Sequence, residues 1–285
     1  MENSIKVVSI VGPTASGKTK LSVELAKHFN GEIVSADSMQ IYSGMQIATA
    51  KPTKAEMDGV PHHMMGFLPP DKTYSVASYV NDASKCIADI HSRGMLPFIV
   101  GGTGLYVDSL LNNISFSDDK RDEEYCSRLC KIGEEDGTDR LLDMLSEFDP
   151  ESAQRLRGGR NIKRIIRAIE FYKTTGKTIT EQIKESHNIP SPYSAVKLGL
   201  NCRDRQVLYD RINRRVDIML DEGLLEEAQR VINSELSYTS VKAIGYKELI
   251  PYFKGSKSLN DCVEKLKMET RRYAKRQITW FKRDT

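Results

Sequence analysis

The sequence predicts an α/β protein in which a parallel sheet, with helices on both of its faces, is interrupted by an all-helical insertion. Short apolar runs typical of buried strands occur at 6–11, 32–36, 96–100 and 196–200, and helical patterns follow the first and third of them. A glycine-rich turn comes directly after the first run. Nearly a hundred residues separate the third run from the fourth, which is far too long for one crossover helix.

The long separation defines the expected domains. We predict that residues 1–115 and 191–285 form the core domain and that residues 116–190 form the helical insertion. Within the insertion, apolar residues at helical spacing mark one face of a helix: Ile162, Ile165, Ile166 and Ile169. This helix should end near Gly176.

The composition is that of a globular protein with enough apolar material for a core. Of the 285 residues, 39% are hydrophobic and 28% are charged. No run approaches the ~18 apolar residues that a membrane span requires. The five cysteines are scattered and odd in number, which favours free thiols in a reducing compartment. We therefore expect a cytoplasmic protein with no signal peptide and no membrane contact. We also expect a monomer with no obligate protein partner.

The net charge is only +3, but the charges are unevenly distributed. Residues 117–151 include thirteen acidic and five basic side chains, whereas residues 155–167 include six basic side chains and no acidic one. Residues 262–285 are again basic. Each run alone is typical of a solvated face, but basic clusters separated by an acidic stretch suggest a polyanion bound at defined places.

The turn after the first strand is the strongest motif in the chain. Its residues are Gly12, Pro13, Thr14, Ala15, Ser16, Gly17, Lys18 and Thr19. In such a P-loop the backbone N–H groups and the following helix N-terminus surround an anion. Lys18 adds a positive charge on the phosphates, and the Thr19 hydroxyl can hold Mg²⁺. The motif predicts a P-loop NTPase-like core that binds a diphosphate or triphosphate group. A similar string at 175–178 follows a helix, so we interpret it as a helix stop.

A P-loop does not specify the reaction. The Asp-x-x-Gly and Asn/Thr-Lys-x-Asp motifs of GTPases do not occur in the sequence. A nucleoside or nucleotide kinase stays possible, because such enzymes are compact and also carry a mobile inserted lid. A non-catalytic RNA-binding P-loop protein is a third possibility, since the basic clusters suit a phosphate backbone.

Further motifs follow the P-loop in a fixed order. They are DSMQIY at 37–42, TAKP at 49–52, PHH at 61–63, GGTGLY at 101–106, RIIRAIE at 164–170, AIGYKE at 243–248 and KRQITWF at 275–281. Together with the P-loop, they make the chain resemble the tRNA dimethylallyltransferase family, in its short bacterial form, from about residue 6 to residue 283. One departure is Gly66, where an acid commonly follows PHH, so no catalytic role is predicted there.

The resemblance implies transfer of a dimethylallyl group from dimethylallyl diphosphate to N6 of an adenosine adjacent to the anticodon in tRNA, with Mg²⁺ as cofactor. Diphosphate as the leaving group explains a P-loop without a nucleotide. Lys18, Mg²⁺ at Thr19 and backbone N–H groups can stabilise the charge that builds on the departing oxygens. The resemblance also implies that Arg205 and Arg211 reach this diphosphate, although from the residues alone we would interpret both as surface charges.

The acceptor needs a different kind of residue. The adenine amine is a poor nucleophile, so a group must accept its proton as the new bond forms. Asp37, after the second strand, is the candidate base, and metal binding through water is its alternative role. Thr103 could orient the amine or could simply be a turn residue.

Contact with tRNA is the remaining requirement, because the adenine must leave its stack in the anticodon loop to react. The residues predicted to contact tRNA are Asp37, Ser38, Met39, Gln40, Arg160, Lys163, Arg164 and Arg167.

Overall fold

The structure is a computed structural model that describes residues 4–114, 122–159, 161–237 and 239–283. It divides into two compact units. The first comprises residues 1–111 and 192–285, and the second comprises residues 112–191. Within the described ranges, no helix combines the length and the apolar character that crossing a bilayer requires.

The first unit contains a parallel sheet in the order β3-β2-β4-β1-β5. Its strands are β1 Ile5–Val11, β2 Gly31–Ser35, β3 His62–His63, β4 Leu96–Gly101 and β5 Tyr193–Gly199. In the central register, Ile10 of β1 lies opposite Val100 of β4 and Leu198 of β5. The predicted parallel α/β sheet is therefore confirmed, and β3, which was too short to give a sequence pattern, extends one edge.

The helices of both units are numbered in chain order. They are α1 Lys18–His28, α2 Lys54–Met57, α3 Val76–Ser92, α4 Gly104–Leu111, α5 Glu123–Glu135, α6 Thr138–Ser146, α7 Pro150–Arg157, α8 Ile162–Thr175, α9 Ile179–Asn188, α10 Arg205–Asp221, α11 Leu224–Ile232, α12 Ile250–Phe253 and α13 Leu259–Phe281.

Helices cover both faces of the sheet because neighbouring strand residues point to opposite sides. Val34 and Ile99 pack in one apolar cluster with residues of α3 and α4. Their neighbours Ile33 and Phe98 pack in another cluster with Val23 of α1. All four strand side chains are buried. This two-sided burial explains why β2 and β4 are continuous apolar runs in the sequence.

A further core joins the segment after β2 to the C-terminal helices. Ile41, Tyr42 and Met45 are fully buried and pack with Leu224 of α11 and Leu266 of α13. The segment after Asp37 is therefore part of a packed structure, which gives the residues near the sheet edge fixed positions.

The second unit is helical and has its own apolar core. Leu129, Leu141, Leu145 and the inward face of α8 form this core. The Asn161 side chain accepts a hydrogen bond from the Arg164 N–H at the start of α8, and Gly176 ends the helix with φ of 70°. Thr178 then caps α9. The predicted helix, its apolar face and the helix stop at 175–178 are thus confirmed.

Candidate active site

The P-loop forms the turn between β1 and α1. Gly17, directly before α1, has φ of 93°, a left-handed conformation that favours glycine. At Gly12, a Cβ atom would lie 2.4 Å from the carbonyl oxygen of Leu200. Glycine there lets the end of β1 lie against the segment that follows β5. The Ser16 hydroxyl is buried and has no hydrogen-bond partner among the described residues. A phosphate oxygen would satisfy this hydroxyl.

Lys18 holds its ammonium group close to the turn. Its Nζ donates to the carbonyl oxygens of Gly12 at 3.0 Å and Pro13 at 2.7 Å. Burial lowers the pKa of Lys18 to about 8, and the nearby Asp37 carboxylate acts against this shift while Arg215 adds to it. Burial also makes the ammonium group a stronger partner for an anion, because fewer waters screen it.

Asp37 and Thr103 lie at the carboxyl ends of the neighbouring strands β2 and β4. Asp37 Oδ1 accepts hydrogen bonds from the backbone N–H groups of Met39 at 2.9 Å and Gln40 at 3.4 Å. Ser38 donates its N–H to Thr103 Oγ1 at 3.0 Å. Burial raises the pKa of Asp37, and the two N–H groups and Lys18 act against this rise. A base with a raised pKa is better matched to proton transfer near neutral pH.

The P-loop and Asp37 line a cavity of about 1190 Å³ in the first unit. Of the residues predicted from the sequence, those that line it are Thr14, Ala15, Ser16, Gly17, Lys18, Thr19, Asp37, Ser38, Met39, Gln40 and Arg211. Thr103 is not among the lining residues and reaches the site through its contact with Ser38. The P-loop and Asp37 therefore meet at the carboxyl edge of the sheet, as expected from their positions after strands.

The arginines of α10 are divided between the cavity and the surface. Arg211 and Arg215 both line the cavity, because residues four apart lie on the same helix face. Arg205 is exposed in the first turn and is not a lining residue. Arg215 was not among the residues predicted from the sequence. Burial lowers the pKa of Arg215, while Asp37 is one of the carboxylates that oppose this shift.

One wall of the cavity is a loop held by a buried carboxylate that sequence reasoning missed. Glu227 of α11 accepts hydrogen bonds from the consecutive N–H groups of Gln46, Ile47 and Ala48, at distances from 2.8 to 3.0 Å. It also accepts from the Tyr246 hydroxyl at 3.0 Å. No motif marks this role, because the partners are backbone groups far away in sequence.

Gln40 braces the same wall. Its Nε2 donates to the carbonyl oxygens of Thr49 at 3.3 Å and Ala50 at 3.2 Å, and its Oε1 accepts from Ser35 Oγ at 3.1 Å. Gln40 was predicted to contact tRNA. The structure gives its side chain partners within the protein, so its amide already has a structural role.

The basic residues predicted to contact tRNA differ in their surroundings. Arg160 lies outside the described residues. Lys163 and Arg164 are exposed in the first turn of α8. Arg167 forms an ion pair with the buried Glu170 and lies over the Phe171 ring at 5.7 Å. Arg167 therefore helps to hold the second unit together.

The cavity offers few protein ligands for a metal ion. Among the described residues, no group of three or more His, Cys, Asp or Glu side chains is arranged to hold one. Thr19 and Asp37 both line the cavity and carry hard oxygen donors. Such a sparse set fits Mg²⁺, which keeps several waters and takes further ligands from substrate phosphates.

Comparison with known proteins places the chain in a family. The IPP transferase model matches residues 40–284, and the isopentenyl transferase model matches residues 5–65. The tRNA dimethylallyltransferase of Halalkalibacterium halodurans is 49% identical over 278 residues, which cover 97% of this chain and 88% of that protein.

Solved structures give the same result. The full-length tRNA isopentenylpyrophosphate transferase of Bacillus halodurans has a TM-score of 0.69 at 46% identity, covering 97% of this chain and 86% of that one. A eukaryotic dimethylallyltransferase acting on tRNA has a TM-score of 0.81 at 32% identity, covering 97% and 70% respectively. The predicted resemblance is confirmed, and this chain belongs to the IPP transferase family, the family of the tRNA dimethylallyltransferases.

Proposed function

We propose that this protein transfers a dimethylallyl group from dimethylallyl diphosphate to N6 of an adenosine adjacent to the anticodon in tRNA, releasing diphosphate. Family membership makes the chain a transferase of tRNA modification. The observation that carries the more specific proposal is that an anion cradle with Lys18 and a partly buried carboxylate, Asp37, line one cavity. The first suits a diphosphate leaving group and the second suits an amine acceptor.

On the donor side, the bond between C1 of the dimethylallyl group and the diphosphate oxygen breaks. Negative charge then builds on the diphosphate, where the Lys18 ammonium, the Ser16 hydroxyl and the Arg215 guanidinium can stabilise it. When bound at Thr19, Mg²⁺ supplies further positive charge to these oxygens. Because Lys18 and Arg215 are partly buried, water screens their charges less than it would at the surface.

On the acceptor side, the bond between N6 and C1 forms. N6 loses one proton to an Asp37 oxygen, so the product amine is neutral and the diphosphate leaves with its electron pair. Ser38 and Thr103 hold the segment after Asp37 in place. An adenine can reach this cavity only after it has left its stack, a movement that other base-modifying enzymes also require.

The test is incubation of the protein with labelled dimethylallyl diphosphate, Mg²⁺ and tRNA, with AMP and ATP as alternative acceptors. We expect label in tRNA and none in the free nucleotides. Phosphoryl transfer from ATP to a nucleoside or nucleotide would instead establish the kinase function. Tight tRNA binding with no transfer of label would establish the non-catalytic RNA-binding function.

The Lys18→Ala variant should lose transfer activity by about 10²–10³-fold, because it removes a charge directed at the leaving group. Lys27→Ala is the matched control, since Lys27 lies on the same helix and its side chain is exposed. Equal activity of the two variants would contradict the proposed role of the P-loop.

A further inference from the structure

The side-chain amide of Gln277 connects the segments that follow strands β1 and β4. Gln277 lies on α13 and is only 5% exposed. Its Oε1 accepts the Thr14 N–H of the P-loop at 2.9 Å. Its Nε2 donates to the carbonyl oxygen of Gly102, after β4, at 3.1 Å. One buried side chain thus contacts both the anion cradle and the loop after the central strand.

The fit around this amide is close. A Cβ atom at Gly102 would lie 2.0 Å from Gln277 Nε2, so glycine is needed for the amide to reach the backbone. Both polar atoms of the amide are satisfied at once, and a shorter side chain could not span them. This arrangement fixes the orientation of the amide as well as its position.

Gly102 lies next to the residues that contact the segment around Asp37. The next residue is Thr103, whose Oγ1 accepts the Ser38 N–H, and Ser38 follows Asp37. Thr103 also donates its N–H from the same loop to the carbonyl oxygen of Ala36 at 3.1 Å. A shift of the loop at Gly102 would therefore move Asp37 relative to the P-loop.

We propose that Gln277 is a positioning residue that sets the alignment between the donor diphosphate in the P-loop and the amine at Asp37. The inference rests on the proposed function, because it needs a donor at one end of the amide and an acceptor at the other. Both polar atoms of the Gln277 amide contact backbone groups of the protein. Its effect is on the distance between the two reacting atoms, to which such reactions are sensitive.

The experiment measures the single-turnover rate with saturating dimethylallyl diphosphate, tRNA and Mg²⁺, together with the affinity for each substrate and the thermal unfolding of each variant. Gln277→Met keeps the size of the side chain and removes both hydrogen bonds. Gly102→Ala leaves Gln277 in place but displaces its amide. Gln229→Glu, a change at an exposed helical position, is the control for Gln277→Glu.

We expect both Gln277→Met and Gly102→Ala to slow the single turnover about 10- to 100-fold, with substrate affinities within a few-fold of the unmodified protein. In Gln277→Glu, the carboxylate can still accept the Thr14 N–H but repels the Gly102 carbonyl oxygen. Protonation of the new carboxyl group restores a donor. The rate of this variant, divided by that of the unmodified protein, should therefore rise as the pH is lowered, and Gln229→Glu should show no such trend.

The inference is overturned if the variants fold and turn over at the normal rate once the substrates are saturating. It is also overturned if they lose only thermal stability or affinity. By contrast, an unmodified protein that transfers no dimethylallyl group to tRNA would contradict the proposed function itself, so the two failures can be told apart.

Discussion

Two residues of the cavity have their pKa values shifted toward neutrality from opposite directions. Burial raises the pKa of Asp37 and lowers that of Lys18 to about 8. The proposed reaction requires Asp37 to be deprotonated and Lys18 to be protonated. In the free protein, the first condition is met above the raised pKa of Asp37, and the second is met below about pH 8.

The pH dependence of kcat/KM for dimethylallyl diphosphate should therefore be bell-shaped, since this constant reports the free protein. It should rise as Asp37 loses its proton and fall as the pH passes about 8, where Lys18 becomes neutral. Lys18→Arg provides the check, because arginine keeps its charge and should remove the fall at high pH. A high-pH fall that persists in this variant would assign it to another group.

Asp37→Asn separates the two roles that the sequence left open for this residue. If Asp37 accepts the amine proton, the variant should slow the chemical step by about 10²–10⁴-fold with both substrates still bound. If Asp37 holds Mg²⁺ through water, donor affinity should fall and added Mg²⁺ should restore much of the activity. The measurement is the single-turnover rate and the donor affinity across a Mg²⁺ titration. Substantial rescue of activity by Mg²⁺ would exclude Asp37 as the general base.

At the scale of single residues, the sequence predicted the positions of residues that belong to a local motif. The P-loop and Asp37 each follow a strand, so their place at the sheet edge could be predicted. The roles of Gln277 and Glu227 could not be predicted, because their hydrogen-bond partners are backbone groups more than 150 positions away. Arg215 was also not predicted, because no motif marks it and its place beside the cavity depends on the orientation of α10.

At the scale of elements, the loop at 46–48 depends on one carboxylate. Glu227→Gln should lower the free energy of unfolding by about 1.5–3 kcal/mol, because a neutral amide replaces a buried charge that accepts several N–H groups. Urea denaturation measures this change. Glu226→Gln, on the exposed side of the same helix, should alter the free energy of unfolding little. If both substitutions lowered the free energy of unfolding equally, the effect would come from the loss of a negative charge on α11 and not from the hydrogen bonds of Glu227.

Helix α8 presents basic side chains at its start. Replacing Arg160, Lys163 and Arg164 with alanine should weaken tRNA binding and reduce its dependence on salt, by about 0.7–0.9 units of log–log slope for each phosphate group that is no longer neutralised. Donor binding should not change. The control replaces three other basic residues of the second unit, Lys131, Lys177 and Lys184. If the salt dependence of tRNA binding were unchanged in the triple-alanine variant, these residues would not contact the RNA backbone.

Elements with a repeated apolar pattern were predicted well, and elements defined by distant partners were not. The apolar pattern on α8 and the apolar runs of β2 and β4 are side chains buried in the core of the unit to which each element belongs. Strand β5 is an edge strand with most of its side chains exposed, so its sequence gives a weaker signal, and the observed strand begins three residues before the predicted one. The two-residue β3 has no periodicity to detect.

At the scale of the whole molecule, each unit has its own apolar core. The first unit surrounds its sheet with the clusters that contain Ile33 and Val34, whereas the second unit packs helices around Leu141 and Ile165. The chain forms the first unit from two separated segments, 1–111 and 192–285. Cores that share no residues can respond independently to a substitution.

Leu141→Ala tests this independence, because Leu141 is fully buried in the second unit. The cavity it leaves should destabilise that unit by about 2–5 kcal/mol. Diphosphate with Mg²⁺ should stabilise the first unit, since a ligand that binds only a folded state raises its stability. Scanning calorimetry of Leu141→Ala should therefore show an early transition that diphosphate does not move and a later one that it raises. A single transition that both the substitution and diphosphate displace would instead show that the two cores unfold as one cooperative structure.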